Sequence, residues 1–125
     1  MNNVLLVFLG GGVGSVARYI MTMAIGRLSG NSQFPWHTLG VNLLGAFLIG
    51  ALLEIFALRS MPQAMRFLLI TGFLGGFTTF SAFSLESTLM LQRNAYGDLC
   101  IYVIASVVGT IAALLAGGAV AKPFL

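Results

Sequence analysis

Charged side chains are scarce in this chain of 125 residues: six are Lys or Arg and three are Asp or Glu, so that only 7% are charged, against roughly 25% in soluble domains. That shortage excludes an ordinary water-soluble domain. Histidine and cysteine each occur once, and Cys100 has neither a Cys nor a His beside it in sequence. With no ligand cluster for a catalytic metal and no nucleophile–base pair, the chain does not read as an enzyme. Cys100 reads as a small core or lipid-facing residue. No Lys or Arg precedes the first apolar run, and that run is too long for the h-region of a secretory leader, so residues 1–25 read as a mature helix.

What is abundant is apolar surface, with 58% of residues hydrophobic. Four apolar runs, at residues 4–25, 36–58, 67–91 and 99–121, each reach the roughly 20 residues that a spanning helix needs. The connectors between them are too short for a soluble domain. The expectation is therefore an all-α integral membrane protein, with residues 1–125 as one four-helix transmembrane domain in a lipid bilayer. A net charge of +3 places basic residues at helix ends near anionic headgroups and gives no argument for a nucleic-acid partner.

Orientation is normally set by an excess of Lys and Arg in the cytoplasmic loops. Four spans put Arg59, Arg66 and Lys122 on one side and Arg27 and Arg93 on the other, with Arg18 able to snorkel toward the second group. The usual excess is absent. Either the bias is weak and insertion is still one-way, or copies insert both ways and pair antiparallel. Four helices rarely enclose a polar path alone, so a pore needs at least a dimer.

Small residues recur at helical spacing: Gly10 with Gly14 and Gly11 with Ser15, then Ala46 with Gly50, then Gly109, Ala113 and Gly117. Such rows let helix backbones approach closely, replacing the hydrophobic drive that lipid removes. Pro35 and Trp36 are an entry turn and an interfacial anchor. His37 beside them is either a titrating gate or a solvated polar cap.

The polar inventory within the spans is short, and ionisable residues there are functional candidates. Glu54 lies near the end of its run. Arg18 either snorkels to the interface or places positive charge in a water-filled vestibule. Asn42 is deep enough to need a partner. It is either interhelical glue or a neutral donor that does not trap a passing anion.

The third run is the most unusual, reading GFLGGFTTFSAFSLEST over residues 72–88. Gly72, Gly75 and Gly76 predict a helix broken near its middle, with Thr78 and Thr79 at the restart. Broken membrane helices expose carbonyls and amides and are common ion sites. Phe80 and Phe83 share a face, as do Ser81, Ser84 and Thr88. The phenylalanines are either a lipid or packing stripe or ring edges along an anion path. In the fourth run Ser106 and Thr110 either supply further hydroxyls or bond back to their own helix, and Tyr102 one turn earlier is placed to orient Asn42 or cap the path.

These residues closely resemble the Fluc (CrcB) family of bacterial fluoride channels. The resemblance rests on GGVGSVARY at 11–19, GVNLLG at 40–45 and above all GFLGGFTTFSAFS at 72–84. It implies an antiparallel, dual-topology homodimer in the bacterial inner membrane, with two fluoride pathways lined by Phe80 and Phe83. It implies that Asn42 is a pore donor, and that Ser81 and Ser84 form a polar track with a fourth-helix hydroxyl, Ser106 or Thr110. Arg18 would face a vestibule. The carbonyls of Gly75 and Thr78 from both subunits would hold a structural sodium ion. The activity implied is passive export of fluoride. The rival is a small proton-coupled multidrug exporter, which needs a carboxylate in its first helix where this chain has Arg18 and no acid. An accessory helix bundle explains the small-residue rows but leaves Asn42 and the hydroxyls without purpose.

Overall fold

A computed structural model describes residues 2–125. It contains four helices or helix runs long and apolar enough to cross a membrane, at Asn3–Ser29, Trp36–Arg59, Gln63–Gln92 and Tyr96–Phe124. The first two are α1 (Asn3–Ser29) and α2 (Trp36–Arg59). The third consists of a short α3 (Gln63–Arg66), a wide π-helical stretch (Phe67–Leu74), a single turn α4 (Gly75–Phe77) and α5 (Phe80–Gln92). The fourth is α6 (Tyr96–Ala121), followed by a 3₁₀ turn at Lys122–Phe124. Together with apolar composition, these four spans make a multi-pass membrane protein.

The helices outrun the apolar runs because their ends carry local stop and start signals rather than a change in hydropathy. Asn2 caps α1 by accepting from the Val4 amide at 2.9 Å. Gly30, at φ 59°, ends it. Beyond it the Trp36 indole donates to Ser32 Oγ at 3.2 Å, and its ring lies 4.5 Å from that of Phe34. Ser60 turns left-handed after α2 (φ 49°, ψ 45°), and Pro62 then precedes α3.

Glycine governs how the spans meet. A Cβ on Gly50 would collide with the Leu114 carbonyl, and one on Gly117 with the Phe47 carbonyl, so α2 and α6 close on each other through reciprocal glycine notches. The same device joins α1 to the third span, where a Cβ on Gly10 would strike the Leu68 carbonyl, one on Gly14 the Phe73 carbonyl and one on Gly76 the Gly11 carbonyl. Here the structure corrects the sequence reading. Gly72, Gly75 and Gly76 do not interrupt the helix; their missing side chains admit α1, and the chain passes through them in helical, partly widened turns.

The third span bends two residues later. Thr78 (φ −80°, ψ 158°) and Thr79 (φ −151°, ψ 123°) are extended. Their β-branched side chains suit that backbone, and their hydroxyls manage the two helix ends. Thr78 Oγ1 donates back to the Leu74 carbonyl at 2.9 Å, and Thr79 Oγ1 caps α5 by accepting from the Ala82 amide at 3.2 Å.

Two small clusters form the interior. Leu39, Met90 and Tyr102 pack at one end, and Val41, Leu74 and Phe77 lie under α1. Most other large apolar side chains are exposed, as a lipid-facing surface requires. We predict that Gly117→Val, which overfills the α2–α6 notch, destabilises the protein by about 1–3 kcal/mol or more. A thermal unfolding midpoint in detergent, followed by Trp36 fluorescence, should fall by several degrees; an unchanged midpoint would show that the notch does not hold these helices together.

Candidate functional site

The bend is held from across the bundle by one side chain. Asn42 Oδ1 accepts from the Thr79 amide at 2.8 Å, and Asn42 Nδ2 donates to the Thr79 carbonyl at 2.9 Å. The carboxamide thus pairs with both backbone groups of one extended residue, as a neighbouring strand would. Two consequences follow for the ladder of helical hydrogen bonds. The Thr79 amide, which a continuous helix would donate to the Gly75 carbonyl, goes to Asn42 instead. The Ala82 amide, which would go to the Thr78 carbonyl, goes to Thr79 Oγ1. Both carbonyls are thereby released from the regular ladder.

Beside the bend lies a cavity of about 430 Å³, lined among others by Asn42, Phe80, Phe83, Ser106 and Thr110. Among the described residues no charged side chain lines it. The Phe80 and Phe83 ring centroids are 5.3 Å apart, and Phe83 meets Tyr102 nearly edge-on at 5.1 Å and 61°. Phe80 is 76% exposed, so the cavity is open-sided in a single chain.

The hydroxyls divide. Thr110 Oγ1 donates to the Ser106 carbonyl at 2.6 Å, and Ser84 Oγ to the Phe80 carbonyl at 3.1 Å, so both protons are engaged within their own helices. Ser81 shares a 3.2 Å contact with Thr79 Oγ1 and faces a different cavity. Ser106 alone of these is buried with its Oγ lacking any hydrogen-bond partner. Ser87 Oγ is likewise sealed and unpartnered, but it lines neither cavity.

The second cavity, about 520 Å³, is bounded by Arg18, His37, Thr38, Thr79, Ser81 and Glu86 together with neighbours on α1 and α5. Thr79 belongs to both walls, so the two spaces adjoin at the bend. Arg18 reaches inward rather than to the helix end, and its Nη1 donates to the Thr78 carbonyl at 3.3 Å. Glu86 gathers three partners: Thr38 Oγ1 at 2.7 Å, Tyr102 OH at 2.6 Å and His37 Nε2 at 3.0 Å. Tyr102, fully buried, therefore directs its hydroxyl to Glu86 rather than to Asn42. Glu54 lies apart and pairs with Lys122 at 4.0 Å.

Over residues 5–118 the chain matches the family described as CrcB-like protein, camphor resistance (CrcB). The chain belongs to the CrcB family. It is 48% identical to a protein of Agrobacterium fabrum named fluoride-specific ion channel FluC, over 98% of each chain. A Nitrobacter hamburgensis protein named fluoride-specific ion channel FluC 1 is also 48% identical, over 91% of this chain and 90% of its own. A Granulibacter bethesdensis protein named fluoride-specific ion channel FluC is 47% identical, over 92% and 91% respectively.

In this CrcB chain the structure brings Asn42, Phe80, Phe83, Ser106 and Thr110 to one cavity and Arg18 and Ser81 to the next. Ser84 lines neither. Sequence reasoning passed over Thr38, although it stands four residues before Asn42 and so shares its face. Thr79, the partner of Asn42, was placed at the restart of the helix without a role. We predict that Asn42→Ala, which strands an amide and a carbonyl in a spanning segment, costs about 1–3 kcal/mol or more. The thermal midpoint in detergent should fall accordingly. Equal stability of wild type and Asn42→Ala would remove Asn42 from this role.

Proposed function

We propose that this chain is a fluoride-specific channel that lets fluoride leave a bacterial cell passively across the inner membrane, lowering its cytoplasmic concentration. The names of relatives nearly half identical over almost the whole chain support the ion. The observation that carries the site is Ser106, a sealed hydroxyl without a partner in the wall of an uncharged cavity. A buried donor left unmade is costly, and a turn of the Ser106 side chain toward the cavity would let an anion there supply what the hydroxyl lacks.

Fluoride is small and tightly hydrated, so a path must replace water with closely set donors. In this reading they are the Ser106 hydroxyl, the Asn42 N–H not engaged by Thr79, and the positive ring edges of Phe80 and Phe83. Neutral donors bind the ion without trapping it. Thr110 and Ser84 join when their hydroxyls turn away from their own helix carbonyls, and Ser81 with Arg18 forms the vestibule. The exporter reading lacks its requirement, since α1 carries no carboxylate.

A second copy completes the arrangement. The exposed Phe80, Ser81 and Ser84 leave the pathway open on one side, and the balanced loop charges favour an antiparallel partner, giving a dual-topology homodimer. In that assembly the bend at Thr78 and Thr79 acts as a break in the third helix. The released carbonyls of Gly75 and Thr78 are hard oxygen donors that suit sodium. Two lone pairs on the Thr78 oxygen allow it to serve Arg18 and a cation together. Carbonyls from both copies would hold the ion, which when bound neutralises their partial negative charge and ties the copies together.

Purified protein in liposomes should pass fluoride and not chloride; equal flux of the two, or none of either, would sink the proposal. Ser106→Ala should lower fluoride flux roughly tenfold or more, the scale of one hydrogen bond to an ion, while the protein stays folded. Replacing sodium by N-methyl-D-glucamine throughout purification should shift dimer to monomer in detergent. A site held at 100 times its dissociation constant contributes about 2.7 kcal/mol, and an unmoved dimer fraction would dismiss the central cation.

A further inference from the structure

His37, read from the sequence as either a gate or a solvated cap, is neither free nor merely solvated. Its Nε2 lies 3.0 Å from Glu86 Oε1, with the His side chain 34% exposed and that of Glu86 17%. The other two partners of the carboxylate, the Thr38 and Tyr102 hydroxyls, are neutral donors at 2.7 and 2.6 Å. They orient Glu86 without offsetting its charge. Of the three partners the imidazole alone can take up a proton and carry a positive charge.

The location gives that change a consequence. His37 and Glu86 line the cavity of about 520 Å³ that adjoins the uncharged cavity at Thr79, and they also line a neighbouring space of about 270 Å³. Around His37, α1 presents Arg18 and Tyr19, α5 presents Glu86 and its C-terminal turn Arg93, and α6 presents Tyr102. Arg93 Nη1 is bonded to Gln33 Oε1 at 2.9 Å. Among the described residues Glu86 is the single carboxylate lining either space. With His37 neutral, Arg18 and Glu86 cancel across the 520 Å³ cavity. With His37 protonated the same cavity carries a net positive charge, and its carboxylate is faced by a cation at hydrogen-bond distance.

We infer that His37 is a positioning residue and switchable counter-charge for Glu86, which makes the mouth of the pathway more favourable to anions as the pH falls. This rests on the channel reading above. An anion approaching the Thr79 boundary crosses a cavity of net positive charge when His37 is protonated and one of no net charge when it is neutral. Charge-lined clefts change local ion concentration and on-rates by factors of about 10 and upward, so a single partly solvated charge should change conductance by roughly threefold or more.

Fluoride currents across planar bilayers test this, because neutral hydrogen fluoride carries no current. The wild type should carry roughly threefold or more current at about pH 6 than at about pH 8. His37→Gln, which keeps a neutral donor, should give a flat profile at the low level. His37→Lys, which keeps the charge throughout, should give a flat profile at the high level. A flat wild-type profile, or a His37→Gln profile as steep as that of wild type, overturns the inference while leaving the channel reading intact. No fluoride current in wild type at any pH overturns that reading and the inference with it.

Discussion

Everything about the site follows from how two threonines are allowed to leave helical geometry inside a spanning segment. Backbone amides and carbonyls in hydrocarbon have no water to turn to, and each one left unpaired costs several kcal/mol. Asn42 removes that cost for Thr79 by pairing with both of its backbone groups. Thr78 and Thr79 look after the adjacent helix ends with their own hydroxyls. The bend is therefore satisfied at Thr79 and at its two flanking hydroxyls, and what it leaves over is carbonyl oxygen. It turns Phe80 and Phe83 onto the wall of the uncharged cavity and releases the Gly75 and Thr78 carbonyls. Asn42 is thus glue and lining at once: one amide hydrogen and the carbonyl hold the bend, and the second amide hydrogen is left over for an ion.

The bend also needs a rigid frame, which the glycine notches supply. Lipid offers no hydrophobic drive for helices to associate, so close backbone approach and dispersion must do it. The α2–α6 notch places Asn42 and Ser106 on facing helices. The α1 contacts at Gly10, Gly14 and Gly76 hold the half of the third span that precedes the bend. The half that follows it, α5, is tied instead by polar links, Glu86 to Thr38, His37 and Tyr102. One span is thus anchored by glycine notches on one side of the bend, and on the other by these hydrogen bonds together with Met90 packed against Leu39 and Tyr102.

Much of this was legible in the sequence, for identifiable reasons. Span number and the rows of close-packing residues follow from hydropathy and spacing, both local properties. Asn42 stood out because a lone carboxamide in an apolar run must find a partner. The position of the bend was misplaced onto Gly72, Gly75 and Gly76, because glycine weakens a helix and fits a notch equally well, and only the presence of α1 decides between the two. The hydroxyl donors were harder still. Ser106 and Thr110 share a face, yet one bonds its own helix and the other is left unpartnered, a difference set by the rotation of single bonds. The Glu86 cluster joins α2, α5 and α6 through contacts far apart in sequence, which no local pattern reports.

The two adjoining cavities divide the electrostatic work. The inner one has no charged lining, so in the proposed path an anion there would be stabilised without being held by a countercharge, and passage would stay reversible. The outer one holds the ionisable groups, Arg18 across from Glu86 with His37 beside the carboxylate. A charge that would trap or repel an ion at close quarters would act there across an open space, altering the local concentration of anions rather than their binding. Thr79 lies on the wall between the two, and its backbone is the group that Asn42 holds. The boundary between the charged and uncharged parts of the proposed path is therefore the bend itself.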